Sequence, residues 1–554
     1  MIKRNFIKLY EQSFKESWEQ PAFTDYLENQ TFTYGQVATE IAKLHLLYEK
    51  CGIKQGDKIA LIGKNTPRWC ILYLSVITYG GVIVPILQDF NPNDVHHIIN
   101  HSESVLLFAS NNIWETLEEE KMPRIRGAFS LTNFKPLYQQ DKNIEQYMRE
   151  LVENFNEKYP FGYSKDDILY PEIPNENLVK INYTSGTTGF SKGVMLSANN
   201  LAGNVTFAME TRLLHNKSRV LSFLPLAHAF GCAFEFLSAA AAGSHVYLLG
   251  KLPTPKVLIA AFQKVKPTII FSVPLVLEKI YRNQIQPIIN KRGISLALSV
   301  PILNSKIYEQ INQKISESFG GAFEQVIVGG AALNREVEEF FLKIKFPLTV
   351  GYGMTECGPL ISYTWWEDYL TGSVGAVLPN VMEAKINCPS AEGIGEVFVR
   401  GENVMMGYYK NKEVTDEILD RDGWLHTGDL GTIDENNTIY LRGRNKTMIL
   451  SASGQNIYPE EIEAKLNNMP FVMESLVVEH NKKLVALVYP DYDSVDGGVI
   501  SRQDLDAIMD ENLKNLNKIV ASYETVSRIK LYPNEFEKTP KKSIKRYLYN
   551  QIAD

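Results

Sequence analysis

The sequence contains few cysteines, and none of them form a close pair. The five cysteines among 554 residues are odd in number, widely spaced and without a C-x-x-C motif. This pattern supports neither a disulfide framework nor a thiolate zinc site. The N-terminal segment also lacks an apolar run of signal-peptide length, because charged residues recur every few positions. We therefore expect a cytoplasmic protein in a reducing compartment.

The chain also lacks a surplus of positive charge. It has 57 Lys and Arg residues against 64 Asp and Glu residues, which gives a net charge of -7. No global basic field is therefore available to attract a nucleic acid. A hydrophobic content of 45% is enough for a large buried core in a chain of this length. We expect an enzyme that acts on small molecules and has no nucleic-acid partner.

No stretch is apolar and unbroken over the length of a membrane-spanning helix. Ile71–Leu87 is uncharged over 17 residues but contains Gly80 and Pro85, and the largely apolar Val220–Gly243 contains Pro225. A spanning helix needs about 20 apolar residues without such breakers. We interpret both stretches as buried helix and strand segments. Peripheral contact with the inner face of the membrane stays open.

Helical patterns alternate with short β-rich runs from about residue 30 onward. Such alternation predicts parallel sheets covered by helices. After Gly372, short strands are broken by Gly, Asn and Asp, which is typical of an antiparallel or barrel-like part. The predicted fold is α/β: a large N-terminal domain of doubly wound sheets with a small β-barrel-like part, then a small α+β C-terminal domain. The predicted strands include Lys58–Ile62, Gly81–Pro85, Val105–Ala109, Val179–Asn182 and Thr268–Ser272.

The best domain boundary lies after Arg444. The following residues form a unit of about a hundred residues, a common domain size. Within it, Leu484–Tyr489 has a strand pattern, and Ser501–Leu516 carries apolar residues at helical spacing. We predict an N-terminal domain over 1–444 and a mobile C-terminal domain over 445–554.

The most informative segment is Tyr183–Val194 (YTSGTTGFSKGV), which follows the strand pattern LVKINY. Its hydroxyls can hydrogen-bond phosphate oxygens, its glycines let backbone N–H groups face an anion, and Lys192 adds positive charge. It differs from the GxxxxGK[ST] loop, because Gly193 follows the lysine. A simple turn needs no run of hydroxyls ending in lysine. The candidate phosphate ligands are Thr184, Ser185, Gly186, Thr187, Thr188 and Lys192.

Three further residues are candidates for chemistry. Glu356 ends the segment GYGMTE, and a carboxylate after a tight turn suits Mg²⁺ with water and phosphate completing the shell. Asp429 ends GWLHTGD, where its two oxygens can accept hydrogen bonds from both hydroxyls of a ribose. Taken alone, such an aspartate is more often a turn residue, but the surrounding motif favours the ribose-binding role. His228 lies in the apolar run PLAHAFG, and burial statistics alone favour a satisfied core histidine.

These motifs resemble, in order, those of the acyl-adenylate-forming superfamily, which contains acyl-CoA synthetases, firefly luciferase and peptide-synthetase adenylation domains. The resemblance covers nearly the whole chain, from TFTYGQVATEIAKL through YTSGTTGFSKG, GYGMTE and GWLHTGDLG to SGQNIYPEEIE. Within the family, LPLAHAFG and VPLVLEKIYRNQI look most like the bacterial long-chain fatty-acid:CoA ligases.

The resemblance implies a role for each candidate residue. Glu356 binds Mg²⁺, Thr355 bonds the α-phosphate, Tyr352 stacks on adenine, Asp429 and Arg444 contact the ribose, and His228 lies beside the reacting carboxylate. By the same resemblance, Gly351 and Ala331 border the nucleotide, Gly329 to Ala332 and Phe223 to Phe236 border the acyl pocket, Lys446 is the hinge, and Gly454 lets the pantetheine arm of coenzyme A pass.

The histidines in HHIINH present an alternative that we do not favour. His97 and His101 are one helical turn apart, a spacing that also occurs in metal sites. No third ligand of suitable type is evident nearby in the sequence. The resemblance places an ordinary surface helix here, so we interpret the histidines as a solvated face.

The C-terminal segment departs from the family pattern. Family members place a lysine that activates adenylation where this chain has Ser543, in Thr539–Arg546 (TPKKSIKR). On an extended strand, Lys545 shares a face with Ser543, and we predict that Lys545 replaces the missing lysine. Lys542 is the alternative if the segment is a loop. A second departure, Ser191 in place of the usual proline before Lys192, adds flexibility but removes no polar group.

The sequence therefore predicts an acid:CoA ligase that uses ATP, Mg²⁺ and coenzyme A to activate a medium- or long-chain fatty acid through an acyl adenylate. Two alternatives remain: transfer of the acyl group to acyl carrier protein, and a nucleotide- and acyl-binding protein with weak catalysis, which Ser543 suggests. Chain length depends on tunnel length, because each buried methylene contributes about 0.8 kcal/mol. Neither chain length nor oligomeric state can be deduced from these motifs.

Overall fold

A computed structural model describes residues 2–184, 192–289, 291, 301–450, 456–481, 483–492, 500–539 and 544–549. Within these ranges the strands are β1 Pro21–Asp25, β2 Thr31–Thr33, β3 Lys58–Ile62, β4 Val82–Ile86, β5 Leu106–Ala109, β6 Gly127–Ser130, β7 Pro136–Gln139, β8 Leu178–Thr184, β9 Lys192–Ser197, β10 Arg219–Ser222, β11 His245–Leu248, β12 Ile269–Ser272, β13 Gln325–Val328, β14 Leu348–Val350, β15 Tyr352–Gly353, β16 Leu360–Ser362, β17 Met382–Asn387, β18 Gly395–Gly401, β19 Gly407–Tyr408, β20 Leu425–Ile433, β21 Ile439–Arg444, β22 Ile449–Leu450, β23 Asn456–Ile457, β24 Val472–His480, β25 Lys483–Pro490 and β26 Val526–Leu531.

Helices connect and cover these strands, and the described α-helices are α1 Phe6–Glu16, α2 Tyr34–Lys50, α3 Pro67–Tyr79, α4 Pro92–Ser102, α5 Asn111–Trp114, α6 Ile144–Lys158, α7 Ala198–Glu210, α8 Ser238–Ala241, α9 Pro255–Val265, α10 Pro274–Ile280, α11 Gln286–Ile289, α12 Pro301–Ser318, α13 Arg335–Lys343, α14 Lys412–Ile418, α15 Pro459–Leu466 and α16 Arg502–Ile519. Two π-helical segments, Gly231–Leu237 and Tyr281–Ile285, precede α8 and α11.

Two large sheets form the N-terminal part. One has the strand order β19-β9-β8-β4-β3-β5-β6-β7, and the other has the order β14-β13-β12-β10-β11-β1-β2. The central pairs of both are parallel, and antiparallel pairs occur at the edges. Their central strands are almost entirely buried, as expected for parallel sheets covered by helices. The predicted doubly wound sheets are confirmed.

The two apolar stretches are buried within this architecture. Ile71–Leu87 supplies most of α3, a left-handed turn at Gly80 and then β4. Val220–Gly243 supplies β10, a loop, the π-helix Gly231–Leu237 and α8. Both interpretations as helix and strand segments are confirmed. Among the described residues, no helix has the length and apolar character needed to cross a membrane.

The later part of the chain is antiparallel before it becomes mixed. Strands β17, β18, β20 and β21 form a four-stranded antiparallel sheet, which corresponds to the predicted barrel-like part. Beyond it, β24, β25 and β26 form a three-stranded sheet that packs with α15 and α16. One large core cluster extends from Phe6 to Ile439, and a separate cluster extends from Ile457 to Val526.

Candidate active site

The predicted phosphate loop joins two antiparallel strands. Thr184, the last residue of β8, pairs with Lys192, the first residue of β9, and Tyr183 pairs with Gly193. The loop therefore projects from the end of a regular ladder, at the carboxyl edge of β8. Ligands of α/β sheets bind at this edge. The candidates Ser185, Gly186, Thr187 and Thr188 lie outside the described residues.

Lys192 and Glu356 both contact one tyrosine, Tyr408. The Lys192 Nζ atom is 5.1 Å from the centre of the Tyr408 ring, and the Tyr408 hydroxyl donates a 2.8 Å hydrogen bond to Glu356 Oε1. Strand β19 brings Tyr408 there by pairing with β9. The Met405 N–H also donates to the Glu356 carbonyl at 2.8 Å. The cation of the phosphate loop and the candidate metal carboxylate thus occupy one site.

Asp429 connects Tyr352 with Arg444. The Tyr352 hydroxyl donates to Asp429 Oδ2 at 2.6 Å, and Arg444 Nε lies 3.1 Å from Asp429 Oδ1. Asp429 and Arg444 face each other across the β20–β21 ladder. The candidate adenine and ribose residues are therefore neighbours. Asp429 lies inside β20, and the preceding Gly428 has a φ of 72°, so a local kink replaces the turn expected before it.

Burial dominates the electrostatics of this group. It raises the pKa of the Asp429 carboxyl, and the nearby Glu356 and Glu396 carboxylates raise it further, whereas Arg444 and the Tyr352 hydroxyl lower it. Burial and Asp429 likewise raise the pKa of Tyr352 well above its ordinary value, so that its hydroxyl keeps its proton and donates. The carboxyl groups of Glu356 and Asp429 are close enough to repel each other. A bound cation would relieve that repulsion.

A cavity opens beside these residues. His228, Gly351, Tyr352 and Thr355 are among the residues that line it, together with Gly329 and Gly330. Most of the other lining residues are apolar, among them Leu213, Phe230, Phe234, Phe271, Ile327 and Leu360. A cavity lined by both polar and apolar groups can hold a molecule with a charged end and a hydrocarbon body.

Two residues that the sequence analysis did not assign hold the loop that carries His228. Glu235 is fully buried; it accepts a 2.9 Å hydrogen bond from the Ser222 hydroxyl and a 3.2 Å bond from the Leu224 N–H. Asn65 donates to the Leu224 carbonyl at 2.7 Å and accepts from the Leu226 N–H at 3.1 Å. Burial raises the pKa of Glu235 well above its ordinary value. The sequence signal for the structural role of Glu235 is that it is the only charged residue in the apolar segment GCAFEFL.

The donor set fits a magnesium ion held partly by substrate. Among the described residues, no group of three or more His, Cys, Asp or Glu side chains is arranged to hold a metal. Mg²⁺ commonly binds one or two carboxylates and completes its shell with water and substrate phosphates. Glu356 meets that requirement, because Tyr408 bonds only its Oε1 atom and Oε2 can serve as a ligand.

Several predicted site residues lie elsewhere. Ala331 is exposed and is not among the described residues that line the cavity. Lys446 lies in an exposed turn after β21, and Gly454 is outside the described residues. Lys545 pairs with Glu537 at 3.2 Å, within the C-terminal part. Lys545 is the N-cap residue of the 3-10 helix Arg546–Leu548 and therefore does not lie in the extended segment that was predicted to include it.

The solvated-face interpretation of the histidines on α4 is wrong for two of them. His96 is buried, and its Nε2 atom accepts a 3.0 Å hydrogen bond from the Glu118 N–H. His101 is half-buried and shares a 2.7 Å hydrogen bond with the Tyr183 hydroxyl. The sequence could not show these contacts, because the partners belong to other elements.

The described contacts bring Lys192 close to Glu356 through Tyr408, and Asp429 close to Arg444 and Tyr352. Such a set of groups is the arrangement expected of an enzyme that acts on nucleotide phosphates. The model of one family, described as AMP-binding enzyme, matches residues 10–409. The chain belongs to this family, and the resemblance seen in its motifs is confirmed.

Curated relatives and solved structures match over nearly the whole length. The long-chain-fatty-acid–CoA ligase FadD15 of Mycobacterium bovis is 27% identical, over 93% of this chain and 89% of its own. The long-chain-fatty-acid–CoA ligase of Escherichia coli O157:H7 is 28% identical, over 86% of this chain and 83% of its own. The crystal structure of ATP-bound MatB from Rhodopseudomonas palustris has a TM-score of 0.77 at 21% identity, covering 99% of this chain and 100% of MatB. The structural likeness concerns the fold.

Proposed function

We propose that the protein is an AMP-forming fatty-acid:CoA ligase. In the first half-reaction, a fatty-acid carboxylate oxygen attacks the α-phosphorus of ATP, and the bond to pyrophosphate breaks. In the second, the sulfur of coenzyme A attacks the acyl carbon, the acyl–phosphate bond breaks, and AMP leaves. The observation that carries the proposal is a set of linked contacts beside one cavity. Tyr408 connects Lys192 with Glu356, and Tyr352 bonds Asp429 and lines the cavity with His228 and several apolar side chains.

Charge neutralisation is the main task of this chain's residues in the first step. The carboxylate and the triphosphate are both anions, so the site must offset their repulsion and align the attack. Lys192 and the loop amides bind the departing pyrophosphate, while Asp429 holds the ribose. Thr355 and His228 line the cavity where the α-phosphate and the carboxylate meet. Mg²⁺ bound at Glu356 supplies further positive charge to the phosphates.

The aromatic end of the cavity suits an acyl chain. Phe230, Phe234 and Phe271 pack against one another with ring centres 5.6 to 6.1 Å apart. These rings offer contact to methylene groups and no hydrogen-bonding group. The known activity of the relatives, which are named as long-chain-fatty-acid–CoA ligases, supports the same substrate class.

Two coupled measurements test the activity. Pyrophosphate exchange into ATP should depend on a medium- or long-chain fatty acid, and AMP release should require coenzyme A. If no fatty acid of the series supports pyrophosphate exchange, the proposed substrate class is refuted. AMP release with acyl carrier protein in place of coenzyme A would favour the alternative acceptor, and nucleotide binding without exchange would favour a binding protein.

The domain division and the hinge are part of this proposal. Separate hydrophobic clusters before Ile439 and after Ile457 support domains at 1–444 and 445–554. Lys446 occupies the hydrogen-bonded turn between them, where Thr447 and Met448 donate to the Arg444 carbonyl. The small domain turns about Lys446 between half-reactions, with Gly454 near the coenzyme A arm.

We further propose a cytoplasmic enzyme that contacts the membrane peripherally. Leu27 and Leu252 are 52% and 78% exposed, and the Nζ atoms of Lys251 and Lys264 lie 5.7 and 4.7 Å from the Tyr26 ring centre. Exposed leucines beside lysines suit an anionic membrane surface. Replacing both leucines by serine should reduce flotation with anionic vesicles; unchanged flotation would exclude this surface.

A further inference from the structure

One histidine on α4 lies against both ends of the phosphate loop. His101 Nδ1 and the Tyr183 hydroxyl share a hydrogen bond of 2.7 Å. The His101 ring also meets the Tyr409 ring edge to face, with centres 5.7 Å apart and planes 84° apart. Tyr183 is two residues before the loop, and Tyr409 follows strand β19, which pairs with the strand after the loop.

The two tyrosines and Gly193 form what we term the loop base. The Tyr409 N–H donates to the Gly193 carbonyl at 2.8 Å, and Tyr183 pairs with Gly193 across the β8–β9 ladder. A Cβ atom on Gly193 would lie 3.1 Å from the Tyr183 ring, so the ring packs directly on the backbone there. The loop base therefore fixes the separation of the two strands from which the phosphate loop projects.

The loop base is connected to the catalytic side chains through β19. Tyr408, the last residue of β19, meets Lys192 and Glu356, and the next residue, Tyr409, meets His101. A displacement of Tyr409 would move the backbone that carries Tyr408. The His101 side of the strand therefore affects where Lys192 lies relative to the candidate metal carboxylate.

Charged groups hold the surroundings of His101 in place. Glu103 accepts a 2.9 Å hydrogen bond from the Tyr409 hydroxyl and pairs with Lys410 at 3.1 Å and Arg124 at 3.4 Å. Lys410 also donates to the His101 carbonyl at 3.2 Å, and the His97 ring stacks on His101 with centres 5.6 Å apart.

The protonation of both partners follows from these surroundings. Burial, with His97 and Lys410, lowers the pKa of His101, although Glu103 opposes them. Burial and Tyr409 raise the pKa of the Tyr183 hydroxyl, which therefore keeps its proton. A neutral imidazole and a protonated phenol can share this hydrogen bond with either group as the donor, according to the imidazole tautomer.

We propose that His101 is a positioning residue for the adenylation step. By sharing a hydrogen bond with Tyr183 and packing on Tyr409, it fixes the loop base and thereby sets Lys192 for ATP. The inference rests on the ligase function proposed above, but it concerns ATP binding and can be tested without a fatty acid.

The test compares four variants in ATP binding by calorimetry and in pyrophosphate exchange. His101→Ala should raise the Kd and KM for ATP about three- to tenfold, the effect of losing one hydrogen bond, and leave the KM for fatty acid unchanged. His101→Asn should restore binding, because its Oδ1 atom lies near the position of Nδ1. Tyr183→Phe should reproduce the loss, and His101→Ala combined with Tyr183→Phe should lose no more than either alone.

Asn93→Ala is the control, since it removes a polar side chain from an exposed position of the same helix, away from His101 and Tyr183. The proposal fails if His101→Ala leaves ATP binding unchanged, if Asn93→Ala has an equal effect, or if the losses in the double variant add. If His101→Ala does not fold, His101→Asn is compared with Tyr183→Phe instead. The proposal predicts that His101→Asn binds ATP more tightly than Tyr183→Phe. An equal loss of ATP affinity in both variants would contradict it. If the wild type binds ATP but catalyses no pyrophosphate exchange, the ligase function is refuted. The role of His101 in ATP binding is then still tested by the binding measurements.

Discussion

Glu356 is the carboxylate on which the proposed chemistry depends most. Its Oε1 atom accepts the Tyr408 hydrogen bond, and the half-buried side chain stands close enough to Asp429 to raise the pKa of that residue. Glu356→Gln keeps the volume and the acceptor for Tyr408 but removes the charge that attracts Mg²⁺. We expect a loss of acyl-adenylate formation of about 10²- to 10³-fold, the usual scale for one electrostatic group.

Pyrophosphate exchange at saturating Mg²⁺ measures this loss. Glu413→Gln makes the same change of charge at an exposed position of α14 and should retain full exchange. Near-wild-type exchange in Glu356→Gln would contradict the metal-binding role.

Glu463 in α15 should make stability depend on pH. Burial raises its pKa to about 7, although Arg546 and the Val477 N–H lower it. The pKa of the Glu463 carboxyl is higher in the folded state than its ordinary value of 4.5, so folding favours the protonated form. The contribution of Glu463 to the free energy of unfolding is therefore fully present below pH 4.5 and is lost as the pH rises through about 7. Glu463→Gln should flatten this decline, because the amide cannot ionise.

Urea unfolding of the C-terminal part, followed between pH 4.5 and pH 8, measures the effect. Glu511→Gln, at an exposed position of α16, should leave the slope unchanged. If the unfolding free energy of Glu463→Gln falls with pH as steeply as that of the wild type, the pH dependence comes from other groups.

Residues with a chemical motif could be predicted from the sequence, whereas residues that support them could not. Asp429 and Lys192 each stand in a short pattern whose chemistry is local. Asn65 bonds the Leu224 carbonyl, 159 residues away, and His101 bonds Tyr183, 82 residues away. Only the folded chain brings such pairs together. A single Asn or His in the sequence has no surrounding motif that indicates a supporting role.

At the scale of elements, periodicity located the buried strands well. The pattern at Lys58–Ile62 coincides with β3, and Val105–Ala109 differs from β5 by one residue. The short strand β19 was missed, because its two residues gain their partner from β9, more than 200 residues earlier in the chain. Hydrophobic alternation predicts a strand only where the strand is long enough to show it.

The C-terminal segment carries the prediction about the missing lysine. In the described conformation Lys545 bonds Glu537 through both its amine, at 3.2 Å, and its backbone N–H, at 2.8 Å. To serve adenylation, the Lys545 side chain must exchange Glu537 for the nucleotide. We expect Lys545→Ala to lower adenylation by about 10²-fold, as for loss of one charge-stabilising group, and to spare thioester formation from supplied acyl adenylate.

Lys542→Ala is the companion variant, and it should be mild; residue 542 lies outside the described residues. Single-turnover assays of each half-reaction separate the outcomes. Full adenylation by both variants would mean that the chain works without a C-terminal lysine, and a selective loss in Lys542→Ala would reverse the assignment.

At the scale of the whole molecule, polar contacts join the two proposed domains. Arg282 donates to the Val472 carbonyl at 3.3 Å and to the Asn467 carbonyl, and Asn334 donates to Asn468 Oδ1 at 2.5 Å. Polar contacts of this kind between domains are compatible with relative motion. Rotation about Lys446 then depends on the backbone freedom of the turn.

Lys446→Pro should separate the half-reactions, because fixing φ restricts rotation without changing either chemical site. The described turn hydrogen bonds come from the Thr447 and Met448 N–H groups, which this substitution leaves in place. One half-reaction should persist and the other should slow. Lys446→Ala, which removes the charge alone, should retain both, and equal loss of both half-reactions in Lys446→Pro would argue against the hinge.

The pairing of β1 with β11 imposes an order on synthesis. Phe23 of β1 lies opposite Val246 of β11, so the inner neighbour of this strand emerges from the ribosome about 220 residues later. At about 5 to 20 residues per second, β1 waits roughly 10 to 45 s with only β2 beside it. During that interval the unpaired N–H and C=O groups on the inner edge of β1, and its apolar side chains, are open to nascent-chain chaperones. The seven-stranded sheet is thus a late product of translation, although its first strand is among the earliest residues made.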